Sequence, residues 1–147
     1  MGFVKSGDNV HTIGTPDISE NETETARRLN KMSYEDRWDA LREDRKLQNT
    51  PGRWIFGLDP EAAQHMKSKT VPVEAGTEIL LMTDGLYRLI DPYKSHTPAD
   101  LFASPDGMLG LLAALRTIED GGELAETRVK MRDDACGLWL CVEGDYV

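Results

Sequence analysis

Two short segments constrain the fold more than any other part of the chain, because each joins an apolar, strand-like run to aspartates. Residues 79–82 form one apolar run, and Asp84 follows it closely. Asp133 and Asp134 come directly before a second apolar run, residues 135–142. If the two runs pair as antiparallel strands, the end of the first lies beside the start of the second. The sequence therefore predicts that Asp84 and Asp133 lie at one edge of a sheet.

Carboxylates brought together in this way repel each other, so they need a bound cation, a shared proton or a basic partner. An oxygen-only cluster favours hard ions such as Mg²⁺ or Mn²⁺. The candidate metal ligands are therefore Asp84, Asp133 and Asp134. The alternatives are structural: Asp84 with Gly85 is also an ordinary turn dipeptide, and Asp133 with Asp134 also suits a solvated loop that enters an edge strand.

The order and content of these segments resemble the carboxy-terminal half of the protein phosphatase 2C family. The resemblance lies in residues 76–86, in residues 133–136, and in residues 51–63, which are similar to a stretch that precedes the first acidic motif of bacterial members. It implies a metal-dependent serine/threonine phosphatase with two central sheets flanked by helices and a centre of two Mg or Mn ions. By this resemblance Asp133 corresponds to a metal ligand and Asp134 to its neighbour, which is often asparagine.

The same resemblance implies that the domain is incomplete. The family carries an Asp-Gly-His-Gly-Gly motif and a phosphate-binding arginine in its amino-terminal half, and the 147-residue chain has no such string. We expect residues 1–147 to form a single domain that is a carboxy-terminal fragment, an alternative gene-start product or a degenerate relative. Two functions stay open: a metal-dependent phosphatase that is present in part, and a non-catalytic relative that binds a protein partner.

The partners that these interpretations imply are a phosphoprotein substrate, the missing amino-terminal half, or a second copy of the chain. A truncated two-sheet sandwich should expose apolar faces, which commonly mark association sites. Composition argues against other classes of partner. The net charge of −9 disfavours nucleic acid, because proteins that bind the phosphate backbone present a basic surface. No apolar run approaches the length of a membrane span, and no secretory signal opens the chain, so a cytoplasmic location is expected.

Local patterns predict one α+β unit, a partial two-sheet sandwich flanked by helices. Capping side chains predict helix starts at four positions, Ser19, Ser33, Asp59 and Thr97. The most apolar helix is predicted at residues 108–118 and is expected to be buried on most sides. Residues 70–73 and 78–82 are predicted to pair as a hairpin, and residues 135–142 form the last predicted strand.

The strands that carry the aspartates are expected to be mostly buried. Their predicted core residues are Leu80, Met82, Leu138 and Leu140. Three tryptophans are expected as core anchors, namely Trp38, Trp54 and Trp139. Cys136 and Cys141 are expected to be reduced, buried thiols, since their spacing suits neither a mutual disulfide nor a zinc site.

Overall fold

The computed structural model describes residues 1–14, 19–51, 53–55, 59–122 and 132–144, and for residues 19–22 it describes the backbone alone. Within these ranges ten elements follow in the order β1 (Gly2–Ser6), β2 (Asn9–Ile13), α1 (Ser19–Leu29), α2 (Tyr34–Arg45), α3 (Pro60–Gln64), β3 (Glu78–Met82), α4 (Asp84–Tyr87), α5 (Pro98–Phe102), α6 (Gly107–Gly121) and β4 (Gly137–Cys141). The strands form one antiparallel sheet in the order β2-β1-β3-β4. The α+β prediction is confirmed, while the second sheet that the resemblance implies is not among the described residues.

The helix starts agree with their predicted caps. Ser33 Oγ accepts the backbone N–H of Asp36 at 3.2 Å, and Asp59 Oδ1 accepts that of Glu61 at 3.0 Å. Thr97 forms a full capping box at the start of α5. α1 begins at Ser19 as predicted, although the side chain of Ser19 lies outside the described atoms. Local hydrogen-bonding chemistry therefore fixes these boundaries, as the sequence indicated.

The hairpin of β1 and β2 was not predicted. Its two-residue turn consists of Gly7 and Asp8, between the paired residues Ser6 and Asn9. Gly7 has a φ of 56°, a conformation that glycine adopts without a Cβ clash. A Gly-Asp dipeptide between two short alternating runs is a hairpin signal, so this element could have been found from the sequence.

The predicted hairpin of residues 70–73 with β3 is wrong. Residues 70–73 form no strand, and β1 takes the place beside β3 instead. Two physical reasons favour β1. Phe3 of β1 pairs with Leu80 and both are buried, whereas Pro72 has no backbone N–H to donate to a sheet ladder.

The predicted pairing of the two aspartate-bearing strands is confirmed. β3 pairs antiparallel with β4, with Leu80 opposite Trp139 and Met82 opposite Gly137. The burial prediction is wrong for half of its members, because Leu138 and Leu140 are 52% and 41% exposed. Successive side chains of a strand point to opposite faces. Since Trp139 faces the helices, its two neighbours face the other way.

The core lies between one sheet face and the segment that runs from α4 to α6. Its buried members are Phe3, Leu80, Met82, Leu86, Tyr87, Leu89, Tyr93, Leu101, Phe102, Leu111 and Leu115. Trp139 packs against this core and meets Phe102 edge to face at 5.6 Å. Trp38 is exposed and Trp54 only half-buried, so they are not core anchors. α6 is not buried on most sides either, since Leu111, Leu115 and Glu119 are its buried residues.

An ion pair links β1 to β3 beside this core. Lys5 Nζ of β1 lies 2.7 Å from the Glu78 carboxylate of β3, and the Trp139 indole N–H donates to the other carboxylate oxygen at 2.9 Å. The hydrogen bond from Lys5 is the main reason that the pKa of Glu78 is lowered. None of the helices in the described part of the chain is long and apolar enough to cross a bilayer.

Candidate functional site

We use the term acidic edge for the side chains of Asp84, Asp133 and Asp134. β3 ends at Met82, and Thr83 is the N-cap of α4. The Thr83 backbone N–H donates to the Cys136 carbonyl at 3.0 Å, and the Cys136 N–H donates to Thr83 Oγ1 at 3.0 Å. These two bonds extend the β3–β4 pairing beyond the strands. Asp84 and Asp133 therefore lie at the same edge of the sheet, as predicted.

Gly85 lets the two halves of the acidic edge approach closely. A Cβ atom at this position would lie 2.2 Å from the Asp134 carbonyl oxygen and 3.4 Å from Asp133 Cβ. Gly85 is a buried residue within α4 and does not have a positive φ, so its role differs from that of a turn glycine. The glycine is needed because a backbone carbonyl occupies the space of a side chain.

Two carboxylates of the acidic edge are open to solvent. The side chain of Asp84 is exposed, and its Oδ1 accepts the N–H of Gly85 at 2.9 Å. Asp134 is exposed as well. Both offer carboxylate oxygens that a ligand could reach. Burial raises the pKa of Tyr87 nearby, with a further contribution from the charge of Asp91, so this phenol stays protonated near neutral pH.

Asp133 stands in a different environment. Its Oδ2 accepts a hydrogen bond from Arg88 Nη2 at 2.8 Å, and its Oδ1 accepts the N–H of Asp134 at 3.1 Å. The side chains of Arg88 and Asp133 are only 14% and 18% exposed. Ion pairs shielded from water in this way are held more strongly than surface pairs. The carboxylate that the sequence singles out as a metal ligand is therefore held by a guanidinium.

Arg88 and Asp133 belong to a larger buried ion network, which we define as Arg88, Arg116, Glu119 and Asp133. The Glu119 side chain is 0% exposed, and its Oε1 lies 3.6 Å from Arg88 Nη1. Arg116 Nη1 donates to Glu119 Oε2. Arg116 Nη2 also donates to the Asp133 carbonyl oxygen at 3.0 Å. The network thus joins the C-cap of α4, α6 and the segment before β4.

Sequence reasoning missed this network, although α6 carries a signal for it. Leu111, Leu115 and Glu119 recur at intervals of four residues, which puts Glu119 on the buried stripe of the helix. Arg116 stands three residues before Glu119, a spacing at which helical side chains meet. A glutamate on a buried stripe requires a basic partner, and Arg116 is the local candidate. The long-range partner Arg88 has no comparable signal.

The donor set of the acidic edge fits a hard cation in part. Asp84 and Asp134 supply accessible carboxylate oxygens, the ligand type that Mg²⁺ and Mn²⁺ prefer. Among the residues that the structure describes, no three His, Cys, Asp or Glu side chains come close enough together to hold an ion. Part of the coordination shell would have to come from water or from groups outside this set.

The cysteines and histidines do not extend the candidate site. Cys136 and Cys141 are free, as expected, but both are exposed and not buried. Cys136 precedes β4 and Cys141 is its last residue, so neither reaches the core. His65 stacks on Trp54 with the ring centres 3.7 Å apart.

The sheet face that points away from the core borders the acidic edge. We call it the outer sheet face and define it by Leu81, Leu138 and Leu140, all of them exposed. Leu81 pairs with Leu138 across β3 and β4, which puts them on the same face. A broad open groove runs along it, lined by residues that include Ile13, Leu81, Leu138, Lys67 and Lys69, and it reaches Thr83 and Cys136. An apolar surface therefore adjoins the candidate site.

Comparisons of the chain with protein-family models, with curated proteins and with solved structures find no match. The assignment to the phosphatase 2C family thus stays a hypothesis that rests on residues 51–63, 76–86 and 133–136.

Proposed function

We propose that this chain is part of a metal-dependent protein serine/threonine phosphatase of the phosphatase 2C type. In this proposal Asp84 and Asp133 contribute carboxylates to the metal centre, with Asp134 beside them. The observation that supports it is the antiparallel pairing of β3 with β4, which brings Asp84 and Asp133 to one sheet edge. Had these two residues lain at opposite ends of the molecule, no shared centre would have been conceivable.

In this proposal the role of the chain's own residues is to hold a metal ion and to fix the position of its ligands. Asp84 would hold an ion through its exposed carboxylate, and Gly85 keeps α4 close to the opposite segment. Thr83 fixes the distance between the two halves of the edge through its bonds to Cys136. A bound Mg or Mn ion would supply the chemistry of lowering the pKa of a water molecule, so that it could attack phosphorus. The aspartates would hold the ions in place and would not transfer protons.

The described residues supply only part of such a centre, so the 147-residue chain alone should bind a cation weakly and should lack phosphatase activity. Two-metal hydrolysis needs both ions held about 3.5–4 Å apart with an open position facing the phosphorus. Two or three aspartates from one sheet edge do not suffice for that. The remaining ligands would have to come from groups outside this set.

Binding of Mn²⁺ tests the proposal directly. We expect wild-type protein to bind Mn²⁺ with a dissociation constant in the range of about 0.1–1 mM, as for sites with few protein ligands. Asp84→Asn should weaken binding by about tenfold or more, because a charged ligand becomes neutral. Asp39→Asn is the matched control, since Asp39 is an exposed carboxylate on α2 and should leave affinity unchanged. Isothermal titration calorimetry measures all three.

Equal affinity in wild type and Asp84→Asn would contradict the proposal. The same samples, assayed with p-nitrophenyl phosphate and Mn²⁺, should hydrolyse it no faster than buffer with the same metal. Turnover that depends on Mn²⁺ and is lost in Asp84→Asn would show that the chain assembles a complete centre, for example by self-association.

A second function, that of a non-catalytic protein-interaction module, is favoured by two observations. The outer sheet face exposes three leucines, and the carboxylate of Asp133 is ion-paired with Arg88. Genomic DNA upstream of Met1 distinguishes the two functions. An in-frame Asp-Gly-His-Gly-Gly motif there would support the phosphatase, and its absence would favour the interaction module.

A further inference from the structure

Four opposed residues form one row across the outer sheet face, and this row is the floor of the groove that runs along it. Gly2 of β1 lies opposite Ile13 of β2 on one side and opposite Leu81 of β3 on the other. Leu81 in turn lies opposite Leu138 of β4. Three strand spacings make the row about 14 Å long. The groove therefore has an apolar floor that crosses all four strands of the described sheet.

The wall of the groove is positively charged. Lys67 and Lys69 line it, and both are exposed. Lys69 Nζ donates to the Thr12 carbonyl oxygen at 3.3 Å, which keeps this lysine beside the Ile13 end of the row. The chain as a whole carries a net charge of −9, so it repels acidic partners. The two lysines reverse the sign of the charge locally, and the groove therefore suits a partner that is both apolar and acidic.

Helix α2 carries an exposed stripe with the opposite sign of charge. We define the α2 stripe as Tyr34, Glu35, Trp38, Asp39 and Arg42, which share one side of the helix. Tyr34 and Trp38 are 75% and 42% exposed, and their rings meet edge to face with the centres 6.0 Å apart. Two carboxylates and one guanidinium leave the stripe with a net negative charge. From Tyr34 to Arg42 the helix rises by about 12 Å, close to the length of the row.

The other side of α2 holds the helix in the protein. Arg37 Nε donates to the Leu29 carbonyl oxygen at 3.1 Å, and Asp44 accepts two hydrogen bonds of 2.7 Å from Arg53. Arg37 and Asp44 share a side of the helix, because the seven residues between them make about two turns. None of the residues of α2 is buried. A partner can therefore reach the α2 stripe without displacing the helix from its contacts.

We propose that the α2 stripe of one copy of the chain binds in the groove of a second copy. The two aromatic rings of the stripe cover the exposed leucines of the row, and its two carboxylates meet the two lysines of the wall. An amphipathic helix that lays its apolar side into a groove is a common mode of recognition. Both surfaces are exposed in the structure, so they do not cover each other within one chain. The inference does not depend on the metal centre of the proposed function.

Charge and length together favour a second copy as the occupant. The stripe is negative where the groove wall is positive, and the two are of similar length. Because the two surfaces differ, the contact is heterologous: reciprocal insertion closes a dimer, and sequential insertion builds longer chains. One helical stripe covers less area than a stable interface needs, so the association is expected to be weak, with a Kd of about 10–100 µM.

Sedimentation equilibrium of the full chain measures this association. A reducing agent is needed, because Cys136 and Cys141 are exposed thiols that could link two copies covalently. Salt at about 0.15 M screens the repulsion between the two negatively charged copies. We expect wild type to self-associate under these conditions. A wild-type chain that stays monomeric at about 200 µM, above the expected Kd, would overturn the proposal.

Single substitutions test the contact from both sides. Trp38→Ala should weaken the association by about tenfold or more, because it removes an aromatic anchor. Leu138→Asp should weaken it by a similar factor, because it places a carboxylate against those of the stripe. Leu109→Asp is the control, since Leu109 is 76% exposed on α6 and does not line the groove. Either variant suffices should the other fail to fold by circular dichroism, and unchanged association in a folded Trp38→Ala or Leu138→Asp would overturn the proposal.

A charge exchange identifies the two surfaces as partners. Lys67→Glu combined with Lys69→Glu should weaken the association by about tenfold, because the wall then repels the stripe. Adding Glu35→Lys and Asp39→Lys to the same chain should restore the affinity to within about threefold of wild type.

The control for this rescue restores the same net charge at other positions. Glu43 and Asp120 are both exposed and belong neither to the α2 stripe nor to the groove. Glu43→Lys combined with Asp120→Lys should therefore leave the reversed wall without a partner and the association weak. Equal rescue by both pairs, or no rescue by the stripe pair, would overturn the assignment of α2 to the groove. The Mn²⁺ titration of Asp84→Asn decides the metal centre separately.

Discussion

Replacing Glu119 by alanine is expected to lower the free energy of unfolding by about 3–5 kcal/mol, the typical loss when one partner of a buried ion pair is removed. The side chain is fully buried, and it contacts the guanidinium groups of Arg88 and Arg116. Its removal would leave these two arginines with less negative charge in a region of low dielectric. Urea denaturation followed by circular dichroism measures the change.

The neighbouring residue provides a matched control. Asp120 pairs with Arg132, and both side chains are more than half exposed. Ion pairs in that position contribute about 0–1 kcal/mol, so Asp120→Ala should have a small effect. Losses of similar size in the two variants would contradict the assignment of a structural role to the buried ion network.

Gly85→Ala is the other substitution with a large expected effect. The added Cβ would stand 2.2 Å from the Asp134 carbonyl oxygen. Neither atom can rotate away, because the position of Cβ is fixed by Cα and the carbonyl belongs to the backbone. We expect a loss of about 1–3 kcal/mol or more, as for insertion of a methyl group into a tightly packed region. Movement of α4 away from the segment before β4 should also weaken any Mn²⁺ binding.

Gly121→Ala is the control for this prediction. Gly121 ends α6, and a Cβ there would meet no atom within 4 Å. Alanine at an unobstructed helical position should be neutral or stabilising by up to about 1 kcal/mol. Thermal unfolding of both variants provides the comparison. A Gly85→Ala protein as stable as Gly121→Ala would show that the two segments are not in close contact.

The features that the sequence predicted well are those set by local chemistry or by long apolar runs. Ser33, Asp59 and Thr97 begin helices because each accepts a backbone N–H of the first turn. Residues 79–82 pair with β4 because both runs are apolar enough to belong in a sheet. That pairing alone predicts that Asp84 and Asp133 lie at the same edge of the sheet.

The features that the sequence did not predict depend on which element packs on each face of the sheet and which strand pairs beside β3. Leu138 and Leu140 have the same hydrophobicity as Leu80, but the helices pack on the face that carries Leu80 and Trp139. Residues 70–73 are as β-prone as β1, yet β1 carries Phe3 into the core and residues 70–73 include Pro72. Hydrophobic patterning does not distinguish such competitors, because the outcome is decided by tertiary packing.

In the candidate site, too, some features could be predicted from the sequence and others depend on tertiary packing. The position of the acidic edge could be predicted from the pairing of β3 with β4. The ion pair of Asp133 with Arg88 could not, because no sequence pattern identifies Arg88 as the partner. Arg88 comes four residues after Asp84, and from the sequence its side chain could equally have faced solvent. In the structure it points inward, and its Nη1 lies 3.6 Å from Glu119 Oε1 of α6.

A double-mutant cycle on Mn²⁺ binding tests most directly the claim that Asp84 and Asp133 hold one ion together. Affinities would be measured by calorimetry for wild type, Asp84→Asn, Asp133→Asn and the double variant. If both residues ligate the same ion, the double variant should bind little more weakly than either single variant, with a coupling of about 1 kcal/mol or more. Losses that add within about 0.5 kcal/mol, or single variants that bind as well as wild type, would contradict a shared centre.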